Sequence, residues 1–227
     1  MKNLLVVCFI LIFAFPLFSQ SSSEQSVTEQ QVEMVELLYD TFEDNSEEWP
    51  LGDNEDYLLK IENGKLIFRH KNTEGSYYIW QWSCLNGDEP FLIESTMNHT
   101  AGAENYGFGL LWGLDNAENY FTFNITDNGY YRIGRKKEGE WHAYVDWTQS
   151  SRINTNGIRN SLQLEKEGDK IKFYINGSYV DQIDFETIFA DGVGFVIWGD
   201  QTIEIDHLTV KGSGDWEWMM EDLMLDY

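Results

Sequence analysis

Short runs that alternate apolar and polar side chains, many closed by a turn that tolerates positive φ, fill most of this chain. Residues 57–61 lead through Asn63-Gly64 into 65–69. Residues 120–125 turn through Asp127-Asn128-Gly129 into 130–135, and 170–175 turn through Asn176-Gly177 into 179–185. Asn and Gly enter the left-handed region at little cost, so Asn-Gly between alternating runs specifies a tight hairpin. Further alternating runs cover 76–82, 91–98, 106–114, 141–147, 161–165, 193–198 and 202–210. This spacing predicts roughly twelve to thirteen strands with almost no helix between them, the mark of an all-β sandwich or barrel. Pro16, Pro50 and Pro90 all fall outside these runs, as paired strands require.

The two ends read differently. Lys2, an apolar run over 4–15, Pro16 and the residues 17–19 resemble an export signal cleaved after Ser19 or Gln20. The run is too short to span a bilayer and no later stretch is longer, so a soluble periplasmic or extracellular protein without membrane insertion is expected. Cys8 lies inside the apolar run rather than at its end, which argues against lipidation. Cleavage leaves Cys84 alone, so no intrachain disulfide is expected, and a half-buried thiol at a strand end is the reading. Residues 20–40 are expected to be a leader. Within it Val32, Val35, Leu38 and Tyr39 fall near helical spacing behind Thr28-x-x-Gln31, which predicts a short helix over 28–39. The domain is expected over 41–211, closed by Gly212-Ser213-Gly214. Residues 212–227 form an acidic tail carrying Trp216, Trp218, Met219, Met220, Leu223 and Leu225. So apolar a segment is expected to fold back onto the domain or, over 215–227, to dock on a protein partner.

Lys and Arg number 15 against 39 Asp and Glu, a net charge of −24. This charge rules against a nucleic-acid partner held by phosphate contacts and disfavours docking on anionic lipid. Asp44, Asn45, Asp53, Asn54, Glu55 and Asp56 form oxygen-rich loops of a kind that calcium uses. No fixed ligand spacing appears among them, and neither a metal nor a cofactor is expected.

Several motifs follow one another along the chain: Phe42-x-Asp44 before Trp49, and Tyr106-Gly107-Phe108 before Asn119-Tyr120-Phe121-x-Phe123. Ile153, Gly157, Asn160 and Leu162 follow, then Phe173-x-Ile175-Asn176-Gly177, Gly192-x-Gly194-Phe195 and Ile205-Asp206-x-Leu208-x-Val210. Together they resemble the concanavalin A-like lectin/glucanase superfamily, in its laminin-G-like and family-16-glycosidase-like bacterial branch, over 41–211. The resemblance implies a two-sheet antiparallel jelly-roll sandwich whose concave sheet often binds glycans. A fold alone does not fix a function, but together with the export signal it leads to the expectation of an exported non-catalytic carbohydrate-binding module with a glycan or glycoconjugate as partner.

Family 16 glycosidases place Glu-x-Asp-x-(x)-Glu on one strand, and retaining hydrolysis needs two carboxyls about 5–5.5 Å apart. Glu204-Ile205-Asp206 matches the first part, but His207, Leu208 and Thr209 supply no third carboxylate, so no catalytic residue is assigned. The apolar phase slips between Ile205 and Leu208, which predicts a bulge at Asp206-His207 with Asp206 bonding the backbone it frees. The alternative enzyme is a sugar-processing hydrolase or lyase of the 3-keto-disaccharide type. That group's Gly-Asn-Ser-Gly stretch is missing, and Tyr106-Gly107-Phe108-Gly109 stands at the comparable strand. Gly107-x-Gly109 leads into a strand and not a helix, so it is no phosphate cradle. Glycines on a strand face instead admit a large neighbour such as a Trp.

Nine Trp exceed the needs of one core. Sugar rings stack their C–H faces on Trp and Tyr, with polar groups fixing orientation. Alternation sends Phe121, Phe123, Ile125, Tyr131, Ile133, Val193, Phe195 and Ile197 inward. It leaves Tyr120, Asn124, Tyr130, Arg132 and Trp198 on the opposite face, with Trp147 heading the next loop. Those six are the candidate ligand-binding residues. Trp112 is assigned to the core, while Trp80 and Trp82 stay unassigned beside Tyr78. The competing reading covers this face with loops and the tail, as a second minor core. Asn98, Asn124 and Asn176 stand in Asn-x-Ser/Thr triplets, which matter only in a glycosylating host.

Overall fold

The computed structural model describes residues 34–213. The export segment 1–19, the leader as far as 33 and the tail from 214 lie outside them. No helix occurs among the described residues. The strands are β1 (Met34–Asp40), β2 (Gly52–Asp53), β3 (Tyr57–Ile61), β4 (Leu66–His70), β5 (Ser76–Trp82), β6 (Phe91–Gly102), β7 (Phe108–Asn116) and β8 (Asn119–Ile125). They continue as β9 (Tyr130–Lys137), β10 (Glu140–Gln149), β11 (Asn160–Glu167), β12 (Lys170–Ile175), β13 (Ser178–Asp184), β14 (Gly192–Trp198) and β15 (Gln201–Ser213). One sheet runs β13-β12-β11-β6-β15-β4-β3-β2 with β1 also on β15, and the other runs β10-β9-β8-β7-β14-β5. Every pairing is antiparallel. The all-β jelly-roll sandwich is therefore the fold.

The hairpin turns form where the sequence places them. Asn63 and Gly64 take φ of 55° and 66°, and Asn176 and Gly177 take 52° and 69°. Asn176 also braces the neighbouring loop: its Oδ1 accepts from Ser161 N at 2.9 Å and its Nδ2 donates to Arg152 O at 2.7 Å. That side chain is engaged, and Asn98 and Asn124 are buried.

The helix expected over 28–39 is not what its described part forms. Residues 28–33 lie outside the described residues, and Met34–Asp40 are a strand on β15, with Met34 opposite Ser213 and Asp40 opposite Leu208. β4 occupies the same edge of β15 only from Gln201 to Ile205, so the backbone beyond is free to pair. A register shift between Glu36 and Leu38 inserts a residue into β1. The bulge turns a period of two into the Val35–Leu38 spacing that resembles a helix. At the end of β1, buried Asp40 accepts from Phe42 N and from Trp49 Nε1, both at 2.7 Å. This locks Trp49 against Phe42 and Phe195, at ring separations of 5.9 and 5.8 Å.

Between the sheets, Phe68, Ile93, Met97, Leu164, Phe173 and Ile205 meet Phe108, Trp112, Phe121, Phe123, Phe195 and Ile197, all fully or nearly fully buried. Burial of each such side chain contributes about 1.5–3 kcal/mol. Trp112 is in the core, stacked on Phe121, as the alternation requires.

The outer face of the larger sheet is ion-paired. Lys65 meets Glu204 at 2.5 Å and Arg159 meets Asp206 at 2.9 Å. The bulge after Ile205 is present, but Asp206 does not serve its backbone. Ser95 Oγ does, donating to His207 O at 2.6 Å, because Ser95 lies on the adjacent strand at that register. Cys84 is exposed just beyond β5 rather than half-buried. Desolvation by the surrounding chain, and secondarily the neighbouring Asp191, push its thiol pKa up, away from the reactive thiolate.

Candidate functional site

The smaller sheet turns a second face away from the core, and register sorts its residues into rows. Arg132, Asn124, Gly109, Val196 and Tyr78 stand side by side on five adjacent strands. The next row is Ala143, Gly134, Thr122, Leu111, Gly194 and Trp80. Trp141, Lys136 and Tyr120 form a third.

Glycine makes room for the large rings. A Cβ on Gly134 would lie 2.5 Å from Trp141 Cζ2. One on Gly107 would lie 2.9 Å from Trp147 Cη2 and 3.4 Å from Trp198 Cδ1. Two indoles therefore converge over Gly107, which is the close approach expected of that glycine.

Aromatic rings run across the face. Tyr120 meets Tyr78 at 5.9 Å, Tyr78 meets Trp80 at 5.8 Å, and Trp80 meets Trp82 at 6.5 Å. Trp141 and Trp198 meet edge to face at 6.4 Å. The Arg132 guanidinium lies 4.5 Å from the centre of the Trp141 ring and 5.8 Å from that of Trp147. Leu111, Leu114 and Val196 form the buried floor.

The six candidates separate on this face. Tyr120 and Asn124 are 2% and 1% exposed, so they belong to the floor rather than to an open surface. Both sit on β8, inside the sheet, where Tyr78, Trp80, Trp141 and Trp198 crowd over the floor they share. Trp147 is exposed, as is Tyr130 at the start of β9. Arg132 and Trp198 are half-buried between the two groups. The face is thus a minor core overlain by an aromatic surface. Tyr78, Trp80 and Trp141 belong to it and were not among the candidates. Strand phase shows the side on which each lies, but only cross-strand register, a non-local property, brings them beside Trp198 and Arg132.

Four polar atoms of this face are buried without a hydrogen-bond partner among the described residues: Asn124 Oδ1, Arg132 Nε, Trp141 Nε1 and Trp198 Nε1. Asn124 Nδ2 is held by Thr122 Oγ1 at 3.0 Å, which fixes the amide's orientation. Arg132 Nε lies 3.5 Å from Asp146 Oδ1, too long for a good hydrogen bond, and the Asp146 side chain is 79% exposed. Desolvation lowers the Arg132 pKa, and Asp146 partly offsets it. Burial, with a smaller contribution from Tyr78, pushes the Tyr120 phenol up to about 12. An unpartnered buried polar group costs about 1–3 kcal/mol, so four in one patch mark a place where a bonding partner gains most. Flat rings beside oriented polar atoms are what grips a ring with apolar faces and hydroxylated edges.

Other features lie elsewhere. Clefts of about 380 and 360 Å³ are lined by Leu85, Ile188 and Asp191, and by Tyr144, Lys170 and Glu186. In the oxygen-rich loops, Asp44 accepts from Ser46 N, Asn54 from Asp56 N and Tyr57 N, and Asp53 pairs with Lys71. No cluster of three or more metal-ligating side chains occurs among the described residues.

Neither a protein-family model nor a curated protein matches the chain. Solved structures do. A carbohydrate-binding module, CBM66, from Bacillus subtilis superposes with a TM-score of 0.55 at 20% identity, covering 69% of this chain and 91% of that one. An endo-β-1,3-glucanase from Pyrococcus furiosus gives 0.55 at 13% identity, covering 80% and 96%. A structure described with endo-acting O-glycanases of the human gut microbiota gives 0.57 at 9% identity, covering 78% and 99%. At such identities the likeness is one of fold.

Proposed function

We infer that this chain, whose fold is that of the concanavalin A-like lectin/glucanase superfamily, is a non-catalytic carbohydrate-binding module. It seats sugar rings on the outer face of the six-stranded sheet. The observation that carries the reading is the group Arg132, Trp141, Trp147 and Trp198, where open aromatic surface adjoins oriented polar atoms that lack partners. Trp147 and Trp198 supply the stacking faces, and Arg132 and Tyr130 supply the polar rim. Neighbours of this fold include both binding modules and glycan-active enzymes. Binding without turnover is favoured because a glycosidase needs a second carboxyl near the first. Among the described residues the carboxylate paired with Arg132 is Asp146, and Glu204 and Asp206 are on the other sheet, already paired with Lys65 and Arg159. Export by the segment 1–19 would bring the face to glycans of the periplasm or the surroundings.

Calorimetric titration of the full chain with a panel of oligosaccharides tests this. Binding of at least one glycan, weakened about tenfold or more by Trp147→Ala and Trp198→Ala, is the expected result. A panel without a binder, or release of reducing ends from a bound glycan, overturns it.

A further inference from the structure

Within the sheet that carries the proposed site, acids are confined to β10, with Glu140 and Asp146, and to Asp115 near the end of β7. β5, β8, β9 and β14, and β7 as far as Leu114, contain no Asp or Glu at all, although the chain has 39. β9 instead contributes Arg132 and Lys136 to the outer face, four residues apart, and Lys136 stands between Trp141 and Tyr120. The carboxylate placed against Arg132 is Asp146, whose exposure makes it a weak partner. At physiological ionic strength charges beyond about 8 Å are screened. The net charge of −24 is therefore felt far less at Arg132 than the charges beside it.

The unpartnered polar atoms have the same bias. Three are donors, Arg132 Nε, Trp141 Nε1 and Trp198 Nε1, and one is an acceptor, Asn124 Oδ1. A neutral sugar brings hydroxyls that donate as often as they accept. A carboxylate or sulfate only accepts, carries charge, and bonds a guanidinium more strongly than a hydroxyl does. Neighbouring rings screen the donors from water. The Arg132 side chain is itself 23% exposed, so a ligand meets its guanidinium beside Trp147, the exposed ring bordering both Arg132 and Trp198.

Building on the carbohydrate reading, we propose that the ligand is an acidic glycan, with an anionic group received by Arg132 and a sugar face stacked on Trp147 and Trp198. Uronate and sulfate esters share this chemistry, and paired probes separate them. Calorimetry on the full chain compares polygalacturonate oligomers with their methyl esters, and carrageenan oligomers with their desulfated forms. In at least one pair the charged member binds ten times or more tighter than its neutral twin. Arg132→Gln brings that ratio to within twofold, while Arg132→Lys retains part of it. Uronate, sulfate or both acting in this way each support the proposal and name the source. Equal affinity of charged and neutral twins overturns it, and Trp198-dependent binding of both would leave the carbohydrate reading standing. Absence of binding to every probe and to neutral xylan and glucan overturns both.

Discussion

The guanidinium of Arg132 is stacked on the indole of Trp141, 4.5 Å from the ring centre, and the two sit on adjacent strands of one sheet. A partly desolvated cation–π pair contributes about 1–2 kcal/mol, and Trp141 also covers Gly134. Trp141→Ala should lower the free energy of unfolding by about 2–4 kcal/mol. It should also weaken glycan binding, because Arg132 loses the surface that orients it. Chemical denaturation and calorimetry check the two effects separately.

Gly107→Ala separates binding from folding. The new methyl would lie 2.9 Å from the far end of the Trp147 ring, and Trp147 is exposed and free to move. Stability should change by less than about 1 kcal/mol, while glycan affinity falls several-fold as Trp147 leaves its place. An unchanged affinity would mean that the position of Trp147 is irrelevant to the ligand.

Asp40 is a structural carboxylate. It receives Phe42 N and Trp49 Nε1 in a buried setting, at the point where β1 hands over to the first loop. Asp40→Ala orphans both donors and should cost about 2–4 kcal/mol. The denaturation midpoint should fall with little change in slope.

Two tyrosines report burial through pH. Burial first and Tyr78 second hold Tyr120 near 12, and burial first and Asp181 second hold Tyr131 near 12. An unfolded tyrosine ionises near about 10. Folding therefore binds more protons than unfolding between those values, and stability falls as pH rises through that window. Below about 10 the contribution is fully present. Ultraviolet titration should show late phenolate steps, and Tyr120→Phe should remove one.

Glu204→Gln and Asp206→Asn should leave glycan binding unaltered and shift stability by no more than about 1 kcal/mol each, since both carboxylates are partly solvated ion-pair members. Loss of a glycan-directed activity in either variant would contradict the non-catalytic reading.

Much of the sandwich was legible because strand phase and turn chemistry are local. Asn63-Gly64 and Asn176-Gly177 carry their φ values with them, and Phe121, Phe123 and Ile125 declare their side by alternation. What misled was also local: the bulge in β1 gave Val35 and Leu38 a helical interval. The site was half legible. Phase put Tyr120, Asn124, Arg132 and Trp198 on one face, but alternation does not tell whether a face is covered. That depends on rings arriving from β5, β10 and β14, distant in sequence and admitted by Gly107 and Gly134.

Met34 lies opposite Ser213 across the β1–β15 pair. A mechanical load applied through these two positions would act on neighbouring points at one end of a ladder. The bonds would open one after another, as in a zipper, rather than resist together in shear. The molecule should yield to stretching at low force, beginning with release of β1, while the aromatic sheet stays intact.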